Sequence, residues 1–234
     1  MPNTPTGVPA DSYTPVLSWP NSVEPAQFSL QLVANSTTVT SPFTGAQQAE
    51  PMAGTSWRMS ASYTSQDVDQ ARLARATLAQ LNGSAGRVYF LAEPGRGTIA
   101  PQPVGDAVGA GVDTGPRVQS TSGGLLQTLG WSQSPGELVA RAGDYISVDD
   151  MHGWRHLFML VEDCLADADG TTEFAVLPEL DGVELPVNGA LHFGGNASGV
   201  FYLVDDGQGK ISESPGADNS FSISAVEFKR GLNA

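Results

Sequence analysis

The chain has 234 residues and a formal net charge of -14, from 11 Lys and Arg against 25 Asp and Glu. Such a balance leaves no basic face to neutralise phosphates, which argues against ordinary nucleic-acid binding and against attraction to an anionic membrane. With Gly 27, Pro 16 and 40% hydrophobic residues, the composition suits a turn-rich β protein with a real core, and the single Cys164 excludes an internal disulfide framework or a multi-cysteine zinc site.

Residues 1–25 carry Pro2, Pro5, Pro9, Pro15, Pro20 and Pro25. They read as an extended arm able to cross onto a neighbouring subunit, or as a frayed terminus. Met1 to Asp11 shows no basic region ahead of an apolar stretch, so no signal peptide is expected. No window approaches the roughly twenty apolar residues of a membrane helix. The expectation is a soluble protein made in a cytoplasm.

Phe28 to Val33 alternates apolar and polar side chains, the pattern of a half-buried strand. Asn35-Ser36 then reads as a turn into a short strand, Thr37 to Thr40, followed by a strand over Pro42 to Gln48. In the next strand Trp57, Met59, Ala61 and Tyr63 share one face, opposite Arg58, Ser60 and Ser62. A helix follows from about Asp67 to Leu81, capped by Thr64 or Ser65, with Asp67 and Asp69 in its first turn. Ala71, Ala74, Leu78 and Leu81 form its apolar stripe, which reads as core packing, while Arg72 and Arg75 fall off it. Asn82-Gly83 ends the helix. Gly86 to Leu91 is the next strand.

From Pro94 to Gly124 the composition turns to glycine and proline, the mark of a domain junction. Leu138 to Val148 reads as strand, tight turn, strand; Trp154 to Asp163 as a longer buried strand. Asp167-Ala168-Asp169-Gly170 reads as a turn into a strand over Thr172 to Leu177. Short strands of this kind suggest a small barrel or sandwich. Gly199 to Val204 and Phe221 to Phe228 alternate again, with Phe221, Ile223, Ala225 and Glu227 on one face. Lacking partners nearby, these last strands are expected to complete the N-terminal sheet, pairing with Phe28 to Val33 or Trp57 to Tyr63.

No constellation points firmly to catalysis. His152 and His156 stand four apart, but Gly153 interrupts the helical spacing that metal ligands would need and occupies the place of the zincin Glu. His192 is a conceivable third ligand. Asp163, Asp167 and Asp169 hint at a calcium loop, yet Glu173 is misplaced for the terminal bidentate ligand, so a turn is the better reading. Gly109-Ala110-Gly111 lacks the dinucleotide spacing, and no nucleophile elbow or Walker loop exists. Glu162-Asp163 would point to opposite faces of a strand, unlike a glycosidase pair. Cys164 reads as a small buried hydrophobe. The expected site inventory is no catalytic residue, no cofactor and no metal.

Several segments together resemble the distal tail proteins and minor tail proteins of long-tailed, siphophage-type bacteriophages. The Thr44-Gly45-Ala46-Gln47-Gln48 strand, the aromatic-Arg strand at Trp57-Arg58 and the helix running to Leu81-Asn82-Gly83 resemble the start of that family's ring-forming belt. Leu138 to Val148 resembles its Gly-Asp hairpin, Asp163 to Leu180 its strand-turn-strand, and Phe221 to Phe228 its closing strand. The Gly-rich junction and the acidic Asp205 to Asp218 have no clear counterpart.

The resemblance and the residue patterns together imply a mainly β fold with one principal α-helix: a β-sandwich-like belt domain with an inserted small β-barrel or sandwich domain. The expected organisation is a Pro-rich arm at 1–25, a discontinuous belt at 26–94 plus 190–234, and the insertion at 95–189. The resemblance implies a structural virion protein at the tail tip, made in the host bacterial cytoplasm. Its implied partners are itself in a ring, as a hexamer, the tail tube protein, and the tail tip hub or other minor tail proteins. DNA is implied only as passing cargo, without specific binding, and no membrane is implied. An alternative is a carbohydrate-binding module using Trp131, Tyr145 and Trp154 to stack sugars; a glycan hydrolase is weaker still, and the chain is expected not to be an enzyme.

Overall fold

In the computed structural model, the described residues are 16–94, 116–122, 124–180, 183, 185–208 and 219–229. Most of the Pro-rich arm, of the Gly/Pro-rich junction and of the acidic 205–218 segment lies outside them. The elements in order are β1 (Val16–Ser18), β2 (Gln27–Thr40), β3 (Gln47–Gln66), α1 (Val68–Leu81), β4 (Arg87–Leu91), β5 (Arg117–Ser122), β6 (Leu125–Leu129) and β7 (Leu138–Ala140). They continue as β8 (Tyr145–Asp149), β9 (Arg155–Leu160), β10 (Cys164–Leu165), β11 (Thr171–Leu177), β12 (Leu191–Phe193), β13 (Ser198–Leu203) and β14 (Asn219–Glu227). Among the described residues the protein is mainly β and sandwich-like, with one α-helix.

Two six-stranded sheets dominate, ordered β1-β4-β13-β14-β3-β2 and β12-β8-β9-β11-β6-β5. The first draws strands from both ends of the chain. Its junction is antiparallel, with Phe221 opposite Tyr63, Ile223 opposite Ala61 and Ala225 opposite Met59. That is the pairing expected from the two alternating runs. Trp57, Met59, Ala61 and Tyr63 meet Phe201, Phe221, Ile223 and Ala225 in one core, closed by Ala74 and Leu81 of the helix. A second core gathers Leu126, Trp131, Ile146, Phe158, Phe174 and Val176 within the other sheet.

The sheets approach closely where β13 passes β9. At Gly199 an added Cβ would lie 2.9 Å from the Phe201 ring and 3.1 Å from Leu157 Cβ, so a side chain there would push the sheets apart. Ser198 N donates to Ser147 Oγ at 3.1 Å across the same approach.

Several local expectations change. Asn35-Ser36 is not a turn: β2 runs through it to Thr40, and a register shift between Val33 and Asn35 absorbs the irregularity as a bulge. The reversal lies at Ser41 to Ala46 instead, so Pro42 to Ala46 are loop, and β3 starts at Gln47. Leu138 to Val148 turns at Gly143 but is not a hairpin, because β7 pairs with β10 while β8 pairs with β9 and β12. The strand expected to reach Asp163 ends at Leu160, and Val161 to Asp163 are exposed.

The helix is capped by neither Thr64 nor Ser65. Asp67 accepts from Gln70 N at 2.7 Å, and Gln70 Oε1 accepts from Asp67 N at 3.1 Å, a reciprocal capping box. At the other end Asn82 takes the left-handed conformation, φ 51°, and Gly83 follows at φ +71°. Ala71, Ala74 and Leu81 are buried as the stripe requires, and Arg72 sits exposed beside Asp69.

Candidate functional site

Two surface features stand out, at different places on the molecule. The first is the outer part of the β2–β3 hairpin. β14 runs beside β3 only as far as Arg58, whereas β2 and β3 go on pairing to Thr40 opposite Gln47. Beyond Val33 the hairpin therefore projects as two strands, with no third strand beside it among the described residues. At about 3.3 Å per residue, Ala34 to Thr40 extend roughly 20 Å. Every residue of β2 from Ala34 onward is exposed, Val39 at 64%, and Phe43 at the tip is 95% exposed.

The tip is ordered by its own hydrogen bonds. Ser41 N donates to Ala46 O at 2.8 Å and Gly45 N to Ser41 O at 3.0 Å. Ser41 Oγ accepts from the amides of Phe43 and Thr44, each at 3.4 Å. Gly45 at φ +70° supplies the left-handed residue that closes the loop. Phe43 is thus held outward with no apolar cover. From Pro25 to Ala49 the sequence carries no charge at all, in a chain of net charge -14.

The second feature is a cleft of about 880 Å³ between the two sheets, lined by residues from the β1 end, from β4 and from β8, β9 and β12. Its walls include Trp19, Phe28, Tyr89 and Phe193, and its floor is polar. There Arg155 forks onto Asp149, Nε to Oδ1 at 2.7 Å and Nη2 to Oδ2 at 3.1 Å, while Nη1 donates to Ser198 Oγ at 3.2 Å. The guanidinium also lies over the Tyr89 ring at 5.5 Å. His192 Nε2 stands 3.6 Å from Asp149 Oδ2, an ion-pair distance that is long for a hydrogen bond. Burial works against the Asp149 charge, but His192 and Arg155 outweigh it and hold the carboxyl far below the usual carboxylate range.

The histidines are dispersed by this architecture. His152 is on an exposed turn, and only its backbone amide, together with that of Trp154, donates to Asp150 Oδ1 at 2.8 Å. His156 is buried against Asp150 Oδ2 at 3.2 Å. Burial opposes the Asp150 charge, and the His156 contact and the two amides overcome it, lowering that carboxyl too. Among the described residues no three His, Cys, Asp or Glu side chains gather as a metal site. Asp169 accepts from Thr171 Oγ1 at 2.6 Å and Gly170 takes φ +75°, so the acidic segment forms a turn. Asp163 is occupied by Ala142 N at 2.9 Å.

Cys164 is 2% exposed, and burial together with Glu162, Asp163 and Asp144 pushes its thiol up to about 12. That removes thiolate chemistry at neutral pH. Trp131 and Trp154 are 3% and 8% exposed, and Tyr145 packs edge-on against Trp57 at 5.6 Å. These three rings present no exposed stack for a sugar.

One buried group has a role that strand alternation alone does not reveal. Glu227, 3% exposed, ties the sheets together: Oε2 accepts from Trp57 N of β3 at 3.2 Å and Oε1 from Leu157 N of β9 at 3.3 Å. Trp57 Nε1 completes the clamp by donating to Leu157 O at 2.8 Å. Burial raises the Glu227 carboxyl against the pull of Lys229 and of the two amides. Lys229 Nζ donates to Thr55 O, alongside the root of the projecting hairpin.

No protein-family model matches the chain, and no curated protein matches it.

Proposed function

We propose that the chain is a structural subunit of a phage tail that self-assembles into a ring at the distal end, joining tube to tip and letting DNA pass. The observation that supports this most is the projecting hairpin. A two-stranded ribbon is marginal in water by itself, so one kept long and ordered, with a single formal charge at Glu50, is suited to packing against another subunit. Its outer edge offers unpaired main-chain groups, which natural proteins otherwise cover or blunt.

A subunit with net charge -14 repels its copies, and the uncharged run Pro25 to Ala49 is where that repulsion is locally least. Exposed charges are screened beyond roughly 8–10 Å at physiological ionic strength, so apolar and main-chain contacts at short range can prevail. An acidic lumen would let DNA pass without adhering, since no counterions are released. Ring closure needs two different surfaces on each subunit, used head to tail. The resemblance noted above supplies the tail setting, the partner proteins and the hexameric count.

Sedimentation of the full chain tests the hairpin's part in assembly. Raising salt and protein concentration should drive association, and a variant in which residues 37–50 are replaced by an Asn-Gly turn, which keeps Ser36 opposite Pro51, should stay monomeric while keeping its strand content. Equal association of the two proteins would sink this reading.

A further inference from the structure

We infer that Phe43, at the hairpin tip of one copy, docks into the inter-sheet cleft of a second copy of this chain. The inference rests on the self-assembly reading and names the contact through which it is made. It begins from an exposed aromatic with no cover: Phe43 is 95% exposed, on a loop whose amides are already satisfied by Ser41 and whose conformation is therefore set before binding. Large aromatics held outward in this way are the usual anchors of protein interfaces when a pocket receives them.

The receiving surface is on the same molecule but beyond its own reach. The cleft includes Phe28 and Tyr63, at the body end of the hairpin strands. Thr40 lies twelve residues further along β2 from Phe28, roughly 40 Å at 3.3 Å per residue, so Phe43 cannot enter its own cleft. The cleft also opens on β1 and β4, at the opposite edge of the sheet from β2. Each copy therefore carries plug and socket at separate places, as a head-to-tail contact requires.

Size and charge agree. A volume of about 880 Å³ has room for Phe43 together with Pro42 and Thr44. The walls offered to the ring are Trp19, Tyr89 and Phe193, while Asp149 and Arg155 satisfy one another, so that an uncharged tip strands neither of them. An acidic partner would meet Glu24 and Asp149 without a free counter-charge; an apolar, uncharged one needs none.

The test uses the full-length chain with Phe43 replaced by the photoreactive p-benzoylphenylalanine, as a mixture of isotopically light and heavy copies. After irradiation at high concentration and raised salt, cross-linked peptides are identified by mass. The expected products join light to heavy chains and fall on Ser18 to Glu24 or Leu191 to Ser198. In parallel, Phe43→Ala and the exposed cleft-mouth variant Asn196→Trp should each weaken association by on the order of tenfold or more without altering the fold. Inter-chain products on any other surface would refute the cleft while leaving self-assembly standing. Products within one chain only would place another segment of the same chain at the tip and refute the docking. No inter-chain product at the highest concentration the protein tolerates, with wild-type and Phe43→Ala sedimenting alike as monomers, would remove both.

Discussion

Replacing Glu227 tests how the two sheets are held together. Its carboxylate satisfies two buried amides, one on each sheet, at 3.2 and 3.3 Å. Glu227→Gln keeps the shape but offers one acceptor oxygen, and its amide group must face the other N–H. One buried donor is left unsatisfied, at a cost of about 1–3 kcal/mol. Glu227→Ala strands both donors and leaves a void, so a loss of about 2–5 kcal/mol is expected. The pH dependence adds a sign. Because burial raises the folded-state carboxyl above its unfolded value, its contribution is fully present below the unfolded carboxylate pKa and is lost as pH rises through the raised value. The stability gap between wild type and Glu227→Gln should therefore be widest at acidic pH and narrow as pH rises. Urea unfolding of both proteins over a pH series measures it. A gap below about 0.5 kcal/mol at every pH would refute the clamp, and one that widens with pH would refute the raised carboxyl.

Three further outcomes follow from the geometry. Arg155→Ala should destabilise the protein by on the order of 1 kcal/mol at neutral pH, the half-exposed position of the pair limiting the effect. The lowered Asp149 carboxyl makes that contribution present above the unfolded carboxylate pKa and lost as pH falls, so unfolding curves of the two proteins should converge in acid. Asp67→Ala removes the helix cap and should cost about 1 kcal/mol by chemical denaturation, whereas Ser65→Ala should cost much less. Cys164 should resist alkylation at pH 8 in the folded chain and react only after unfolding, as read by mass; rapid labelling of native protein would contradict its burial.

Much of the first sheet was legible because its pattern is local. The faces Trp57-Met59-Ala61-Tyr63 and Phe221-Ile223-Ala225 each alternate, and both ended in the same core. The helix was legible for the same reason, through Ala71, Ala74 and Leu81. What failed depended on distant partners. Asn35-Ser36 has turn chemistry, yet thirteen residue pairs with β3 hold β2 extended through it with only a bulge. Leu138 to Val148 has a genuine turn at Gly143, but the competing partners β10 and β9 take its two strands. Glu227 could be placed on the inner face, though its two donors come from β3 and β9, 170 and 70 residues away. Of the candidate surfaces, the cleft was invisible because its walls are distributed from Ser18 to Ser198. The uncharged run Pro25 to Ala49 was in plain sight, but a turn misplaced at Asn35 hid the length of the hairpin.

The most direct measurement of the central claim is electron cryomicroscopy of the assembled tail, with the copy number and position of this chain determined in the particle. The account predicts several copies, six by the family resemblance, closed head to tail around the axial channel, with each projecting hairpin lying on the next subunit. A single copy, or a position away from the channel, would contradict it.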